Sequence, residues 1–403
     1  MNQSKIKNSV SSSNPMRVYL DYQSTTPVDP RVMECMLPWF TEYFGNAHSS
    51  QHSFGLEAAE AVEDARNKIA RVLGAEGREI IFTSGATESN NLAIKGASRF
   101  ASRYTKGKHI IVLETEHKCV LESCTALAGE GFHTTILKVG TDGLVDLDKL
   151  ADAIQEGTIL VSIMAVNNEI GVIQPLEKIG QLCQKNGILF HTDAAQAVGK
   201  IELNVNNMHV DLMSVSGHKL YAPKGIGVLY IRRRPRVRLL PEITGGGQER
   251  GMRSGTLPVP LIVAMGEACN ISDKEMYSES LRLIELRASL LEQLKNMIPD
   301  LIINGSMKER VPGNLNISFP NTNAMDLVKS LKDVAVSTGS ACSSTSKDPS
   351  YVLNALGLSP SITRGSIRIG LGRFTTQSEI DYSARSIANQ VMTKKNNEKV
   401  AAE

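Results

Sequence analysis

The sequence predicts an α/β protein, with a large domain on a mainly parallel seven-stranded sheet followed by a smaller α+β domain. Three observations lead there. Between about residues 78 and 232, short β-branched runs alternate with longer helical patterns, as βα units require. Most of these runs are nearly all apolar, as strands covered by helices on both faces must be. Beyond about residue 275 the alternation stops, and a long amphipathic pattern gives way to separate strand signals.

The strand candidates, in order, are EIIFT (79–83), HIIVLE (109–114), HTTILKV (133–139), ILVSIMAV (159–166), ILFHTD (188–193), DLMSVS (211–216) and GVLYIR (227–232). Helical patterns lie between them, including ESNNLAIKGASRFAS, KCVLESCTALAGE and LEKIGQLCQKNG, the last closing on a glycine as a helix end should. In the second region the periodicity predicts a helix over about 278–297, then strands at NLNISF (314–319) and SIRIGLG (366–372). The N-terminal VYLDY reads as a strand completing this smaller domain. The expected division is a disordered tail 1–15, a large domain 29–275, a small domain made of 16–28 and 276–393, and a charged, disordered tail 394–403.

With 403 residues and 41% hydrophobic content, both cores can be sizeable. No stretch approaches the roughly 18 continuous apolar residues of a transmembrane helix. A formal net charge of +2 argues against bulk attraction to nucleic acid or membrane. The six cysteines, Cys35, Cys119, Cys124, Cys183, Cys269 and Cys342, form no CxxC pair, so neither a zinc site nor a disulfide framework is suggested, and a reducing compartment is expected. The first five sit in helical or apolar context and read as small buried hydrophobes. The first twenty residues hold no acidic side chain and only three basic ones, which suits a disordered cytosolic tail or an organellar transit segment. A cytoplasmic location is expected, with a mitochondrial or mitochondrion-derived matrix as the alternative. One basic cluster, Arg232, Arg233, Arg234, Arg236 and Arg238, reads either as a solvated edge or as a dock for an acidic protein partner.

In an open parallel sheet, ligands bind beyond the carboxyl ends of the strands, so the residues following each strand carry the functional signal. After EIIFT comes SGATES, where Gly85, Ala86 and Thr87 open a helix suited to cradling a phosphate. After HIIVLE comes His117 at a helix start. Asn167 and Asn168 follow ILVSIMAV, and Asp193 closes ILFHTD with Gln196 three residues later. Ser216, His218 and Lys219 follow DLMSV, in SVSGHKLYAPKGIG. Each has a plain reading as a cap, a turn former or a solvated surface residue. Together they fit one ligand, pyridoxal 5′-phosphate: the Gly-Ala-Thr turn and Ser216 for the phosphate, Asp193 for the pyridinium nitrogen, Gln196 for the ring oxygen, His117 for the ring face and Lys219 for the aldehyde, held as a Schiff base.

From YLDYQSTTPVDPRV (19–32) to LGRFTTQSEIDY (371–382) the chain resembles the class V branch of fold-type I pyridoxal-phosphate enzymes, and within it the IscS/NifS cysteine desulfurases. The landmarks are TSGATESNN, TEHKCVL, VNNEIGVIQ, HTDAAQAVGK, SGHKLYAPKGIG, GGGQERGMRSGT, STGSACSS and SIRIGLGRFTT. The resemblance implies that Lys219 carries the cofactor, that Ala86, Thr87, Ser216 and His218 bind its phosphate end, and that Asp193 and Gln196 hold the ring. It further implies that His117 stacks on the ring and shuttles protons, that Asn168 helps fix cofactor and substrate, and that Arg368 takes the substrate carboxylate. Thr256 would reach the phosphate in a neighbouring subunit's site, making the enzyme a homodimer.

Cys342 lies in VSTGSACSSTSKDPS, a run of small and polar residues that reads as a mobile loop. Taken alone it is an incidental exposed thiol. The flanking SACS match implies a nucleophile: L-cysteine displaces Lys219, Lys219 removes the Cα proton, and the Cys342 thiolate takes the substrate sulfur as a persulfide while alanine leaves. The extended loop resembles that of enzymes that pass sulfur to an iron–sulfur scaffold, where Cys342 could serve as a transient metal ligand, and to tRNA-thiolation partners. A frataxin-like partner would suit the arginine cluster. Two departures from the family pattern stand out, Ala47 where a proline is usual and a close on KKNNEKVAAE in place of a longer scaffold-docking tail. A class V aminotransferase or selenocysteine lyase would share the Lys219 site without needing Cys342, and a non-catalytic platform would keep only the fold.

Overall fold

A computed structural model describes residues 17–339 and 350–402, with side chains through residue 395. The expected tail 1–15 and Cys342 with its loop lie outside the described residues. The strands are β1 (Val18–Tyr19), β2 (Ile80–Thr83), β3 (His109–Leu113), β4 (His133–Leu137), β5 (Thr158–Ser162), β6 (Leu189–Asp193), β7 (Leu212–Ser216), β8 (Gly227–Ile231), β9 (Ile302–Ile303), β10 (Asn314–Ser318), β11 (Val334–Ala335) and β12 (Ser366–Gly370).

All seven strand candidates of the first region join one sheet, in the order β2-β8-β7-β6-β5-β3-β4. The pairs β3–β4, β3–β5, β5–β6 and β6–β7 are parallel, while β8 runs antiparallel to both β7 and β2. Two reversals cancel, so β2 points the same way as β7. The β-branched interiors of β3, β5, β7 and β8 are almost wholly buried, as helices on both faces require. β4, at the edge, is only partly covered: no residue of HTTIL is fully buried, and Ile136 is exposed.

The small domain is a three-stranded sheet, β12-β10-β9, with β1 paired in parallel to β11 beside it. Its core gathers Leu315, Ile317, Phe319, Ile367 and Ile369 with Leu286, Leu290, Ile380 and Ile387. The helix predicted over 278–297 is the second half of a continuous helix, Val259–Met297. Ile262, Met265 and Cys269 on its first half pack into the large core, and Leu283, Leu290 and Leu294 on its second half pack into the small one. The polar stretch SDKEMY at the crossover interrupts the apolar period, so the sequence signal begins late, and the 275/276 division falls inside the helix. The last helix, Gln377–Ala402, runs into the stretch 394–403 that the sequence reads as a disordered tail. Ile380, Ile387 and Val391 anchor that helix, Lys395 pairs with Asp300 at 2.6 Å, and Lys, Glu and Ala favour its extension.

The two domains are joined by a buried ion network. Arg373, just past β12, bonds Asp29 at 2.7 Å and Glu279 at 2.9 Å, and its guanidinium lies 4.2 Å from the centre of the Tyr221 ring. Its backbone N–H donates to the Tyr221 hydroxyl at 2.6 Å. Arg31 and Arg373 hold the Asp29 carboxyl far below the usual carboxylate range against the opposing effect of burial. Removing one partner of a buried pair strands the other charge, so Arg373→Met should cost about 3 kcal/mol, read as a lowered urea midpoint, with Arg31 limiting the loss.

Candidate active site

Five strand ends of the large sheet converge on a cavity of about 400 Å³. Ala86, Thr87, His117, Asn168, Asp193, Gln196, Ser216, His218, Lys219 and Arg368, all expected from the sequence, line it together. Thr256 does not line this cavity and is exposed.

The turn after β2 opens the helix Ala86–Asn91 through Gly85, whose φ of +150° favours glycine. The backbone N–H groups of this first turn lack intrahelical partners, and Ser216 and His218 sit across from them on the same cavity. Thr83 and Ser216 both pair in register with Gly227, and a Cβ on Gly227 would lie 2.5 Å from the Gly85 Cα, so the two turns approach because residue 227 is a glycine. Burial, and then the nearby Lys219 and Lys224, push His218 down to about 4, leaving it neutral at physiological pH. Its Nδ1 lies 3.1 Å from Thr25 Oγ1.

Asp193 ends β6 with both carboxylate oxygens engaged: Oδ1 accepts from the Ala195 N–H at 2.9 Å and Oδ2 from Asn90 Nδ2 at 2.7 Å. His117 caps the helix Lys118–Ala128, its Nδ1 accepting from the Cys119 N–H at 3.2 Å. A neutral imidazole that accepts at Nδ1 carries its proton on Nε2. Burial lowers the pKa of His117, Asp193 opposes that shift and Lys219 adds to it. Lys219 lies in the short turn Gly217–Lys219, and its Nζ donates to the carbonyls of Gln23 at 2.6 Å and Ser24 at 2.5 Å.

Arg368 comes from β12 of the small domain and is 1% exposed. Its Nη1 donates to the Asn168 carbonyl at 2.9 Å, and its Nη2 to Asp21 and Ser24 Oγ, each at 2.8 Å. Arg368 Nε and Asn168 Oδ1 are buried without a partner among the described residues. Asn167 turns the other way, its Oδ1 accepting from the N–H groups of Glu169 and Ile170 and its Nδ2 donating to the Thr115 carbonyl.

Several lining or supporting residues were not singled out in the sequence: Gln23, Ser24, Asn90, Glu116 and Cys119. Asn90 had a signal, since it lies one helical turn beyond Ala86 in TSGATESNN. Gln23 and Ser24 had none, because they arrive from the far end of the chain. Cys119 is a correction: expected to be a buried hydrophobe, it lines the cavity, its Sγ 3.0 Å from His117 Nδ1. Burial pushes its thiol up to about 12, so it stays protonated and unreactive. Cys35 is likewise only partly buried, while Cys124, Cys183 and Cys269 are buried as expected.

The residues present fit pyridoxal 5′-phosphate. A glycine-opened helix start, an amine, a carboxylate, an imidazole and an orphaned buried amide oxygen face one space of suitable size. The family model described as "Aminotransferase class-V" matches residues 18–382. The chain is 55% identical over 375 residues to a protein of Ehrlichia chaffeensis named "Cysteine desulfurase IscS", covering 93% of this chain and 91% of the other. It is 54% identical over 374 residues to a Dictyostelium discoideum protein named "Probable cysteine desulfurase, mitochondrial", covering 93% and 83%. A solved structure described as "NIFS-LIKE PROTEIN" superposes with a TM-score of 0.87 at 38% identity, over 94% of this chain and 100% of that one.

Glu116, immediately before His117, is fully buried; its Oε1 accepts from the Met164 N–H at 2.8 Å and its Oε2 has no partner among the described residues. Burial raises its pKa well above the carboxylate range, with Asp193 adding to the effect. A raised folded pKa contributes stability below the unfolded value of about 4.5 and loses it as pH climbs through the folded value. Glu116→Gln removes that dependence, so the stability of the wild type relative to this variant should fall as pH rises above about 4.5, checked by urea unfolding at several pH values.

Proposed function

The chain belongs to the aminotransferase class-V family, and we propose that it works within that family as a pyridoxal-phosphate-dependent cysteine desulfurase, converting L-cysteine to L-alanine with the sulfur retained on Cys342. The observation that carries the reading is the meeting of Lys219, Asp193, His117 and Arg368 in one cavity, together with the high identity to named cysteine desulfurases.

When bound, the cofactor supplies an electron sink for charge developing at the substrate Cα. The residues divide the remaining work. Lys219 would hold the cofactor aldehyde covalently and would supply the amine that moves the Cα proton. The N–H groups at Ala86 and Thr87, with Ser216 and neutral His218, hold the phosphate through hydrogen bonds and the helix dipole. Asp193, itself oriented by Asn90, would keep the ring nitrogen protonated, and Gln196 would donate to the ring oxygen. His117, whose Nδ1 accepts from the Cys119 N–H, would face the ring with its Nε2–H available as a proton donor. Arg368 binds the substrate carboxylate, and Asn168 Oδ1 accepts from the cofactor or substrate.

Cys342 lies outside the described residues, and its role rests on the SACS match in the sequence. Its thiolate attacks the substrate sulfur; the new S–S bond forms as the C–S bond breaks, leaving a persulfide and releasing alanine after a proton returns to carbon. Sulfur then passes to an iron–sulfur scaffold, where Cys342 can act as a transient metal ligand, or to tRNA-thiolation acceptors. Thr256 reaches the phosphate site of a second copy, which makes the working unit a homodimer. Of the arginine cluster, Arg233, Arg234, Arg236 and Arg238 are exposed and available to an acidic, frataxin-like partner. Arg232 belongs to the fold, donating to the Val210 and Val205 carbonyls at 3.0 and 2.6 Å. No described helix is long and apolar enough to cross a membrane. The compartment is a reducing one, cytoplasmic, or a mitochondrial or mitochondrion-derived matrix as the Dictyostelium relative's name favours.

Purified with pyridoxal 5′-phosphate, the protein should show a yellow band at roughly 400 nm and release alanine and sulfide from L-cysteine with reductant. Cys342→Ser should keep the band and lose cysteine turnover; retained turnover overturns the mechanism. His117→Gln should keep the fold and lower kcat by about 100- to 10,000-fold, the range for a lost general acid–base group, as measured by alanine release.

A further inference from the structure

The turn that follows Asp193 carries a second lysine that the reaction above does not use. The N–H groups of Lys200 and Ile201 both bond the Ala197 carbonyl, at 3.0 and 3.1 Å, closing a tight turn through Gly199 that brings Lys200 back to Gln196. Gly199 permits the turn. Its φ is +72°, and a Cβ there would lie 2.1 Å from Leu220 Cδ1, so this backbone rests directly on the residue after Lys219. Lys200 is partly exposed, and its Nζ donates to Gln196 Oε1 at 2.9 Å. Gln196 Nε2 donates to the Gln23 carbonyl at 2.9 Å, the same carbonyl that accepts from Lys219 Nζ at 2.6 Å. Behind the main cavity, a void of about 20 Å³ is walled by Gln23, Lys200, Lys219, Tyr221 and Glu279, large enough for about one water.

We propose that Lys200 is a positioning residue of the cofactor site, fixing through Gln196 Oε1 which end of that amide faces the cavity and coupling its own proton state to Lys219 across the shared void. This rests on the pyridoxal-phosphate reading above. An amide gripped by a cation at its oxygen and by a carbonyl at its nitrogen has one orientation, and its remaining N–H points to where the ring oxygen is held. Burial lowers the Lys200 amine to about 7; Lys219 and Arg368 push it the same way and Glu279 opposes them. Of the other titratable groups on the void, Tyr22 is pushed up to about 12 by burial and Tyr221 is pushed higher still, so both stay uncharged. The charge of Lys200 therefore changes within the physiological range, next to the lysine that carries the cofactor.

The test is the pH midpoint of the visible band in the cofactor-loaded enzyme, compared among the wild type, Lys200→Arg and Lys200→Met, with Lys200→Gln as the neutral variant if the methionine form fails to fold. A fixed positive charge near the Lys219 nitrogen disfavours its protonation, and a neutral side chain favours it. The midpoints should fall in the order arginine, wild type, methionine, from lowest to highest. Shifts of both variants in the same direction, or two wild-type midpoints, overturn the proposal, since a merely structural role predicts no such ordering. A wild type without any visible band overturns the cofactor reading and this assignment with it.

Discussion

A parallel sheet presents its chemistry only where its strands end, and the direction of β2 decides whether this chain has a site at all. β2 meets the sheet solely through the antiparallel β8, which is itself antiparallel to β7. The double reversal brings the Gly85-Ala86-Thr87 turn to the same rim as His117, Asp193 and Lys219. With β2 reversed, four residues at about 3.3 Å each would put that turn roughly 13 Å away, at the amino ends of its neighbours. The turn assigned to the phosphate and the lysine assigned to the Schiff base would then face opposite edges of the sheet.

Convergence at the rim concentrates charge, and the surrounding groups are arranged to limit it. Lys219, Lys224 and Arg368 line the cavity, a set suited to a doubly charged phosphate and a substrate carboxylate. Asp21 offsets Arg368 directly at 2.8 Å, and burial keeps His218 neutral, so the phosphate end relies on hydrogen bonds more than on excess charge. Glu116 is fully buried beside His117, and burial, with Asp193 adding to it, raises its pKa well above the carboxylate range, while Oε2 has no partner among the described residues.

How much of this was legible in the sequence follows from distance along the chain. Strand ends and the residues just after them are local, so Asp193, Lys219, His117 and the Ala86 turn could be placed by reading forward from each apolar run. Asn90 belonged to the same local pattern but needed the helical period as well. Gln23 and Ser24 could not be found that way. They reach Lys219 from nearly 200 residues away, and a backbone carbonyl leaves no mark on residue identity. The helix Val259–Met297 was half legible for a related reason: it changes partners midway, and each half shows a periodicity suited to a different core.

The segment around Asp21 to Ser24 explains why a site built on one domain needs the other. It leaves β1 in the small domain, passes Arg368 through Asp21 and Ser24, and then offers two carbonyls to Lys219 and one to Gln196. The group assigned to the substrate carboxylate and the amine assigned to the Cα proton are thus linked by four residues of backbone. A shift of the small domain moves Arg368 and those carbonyls together, because both are fixed to the β12 side, where Asp21 bridges Gly370. The ion network of Arg373 with Asp29, Glu279 and Tyr221 lies at the other end of the same joint, and Tyr221 is two residues beyond Lys219. Domain geometry and lysine position are therefore one constraint: the large domain supplies most of the cavity lining, and the small domain fixes Arg368 relative to Lys219.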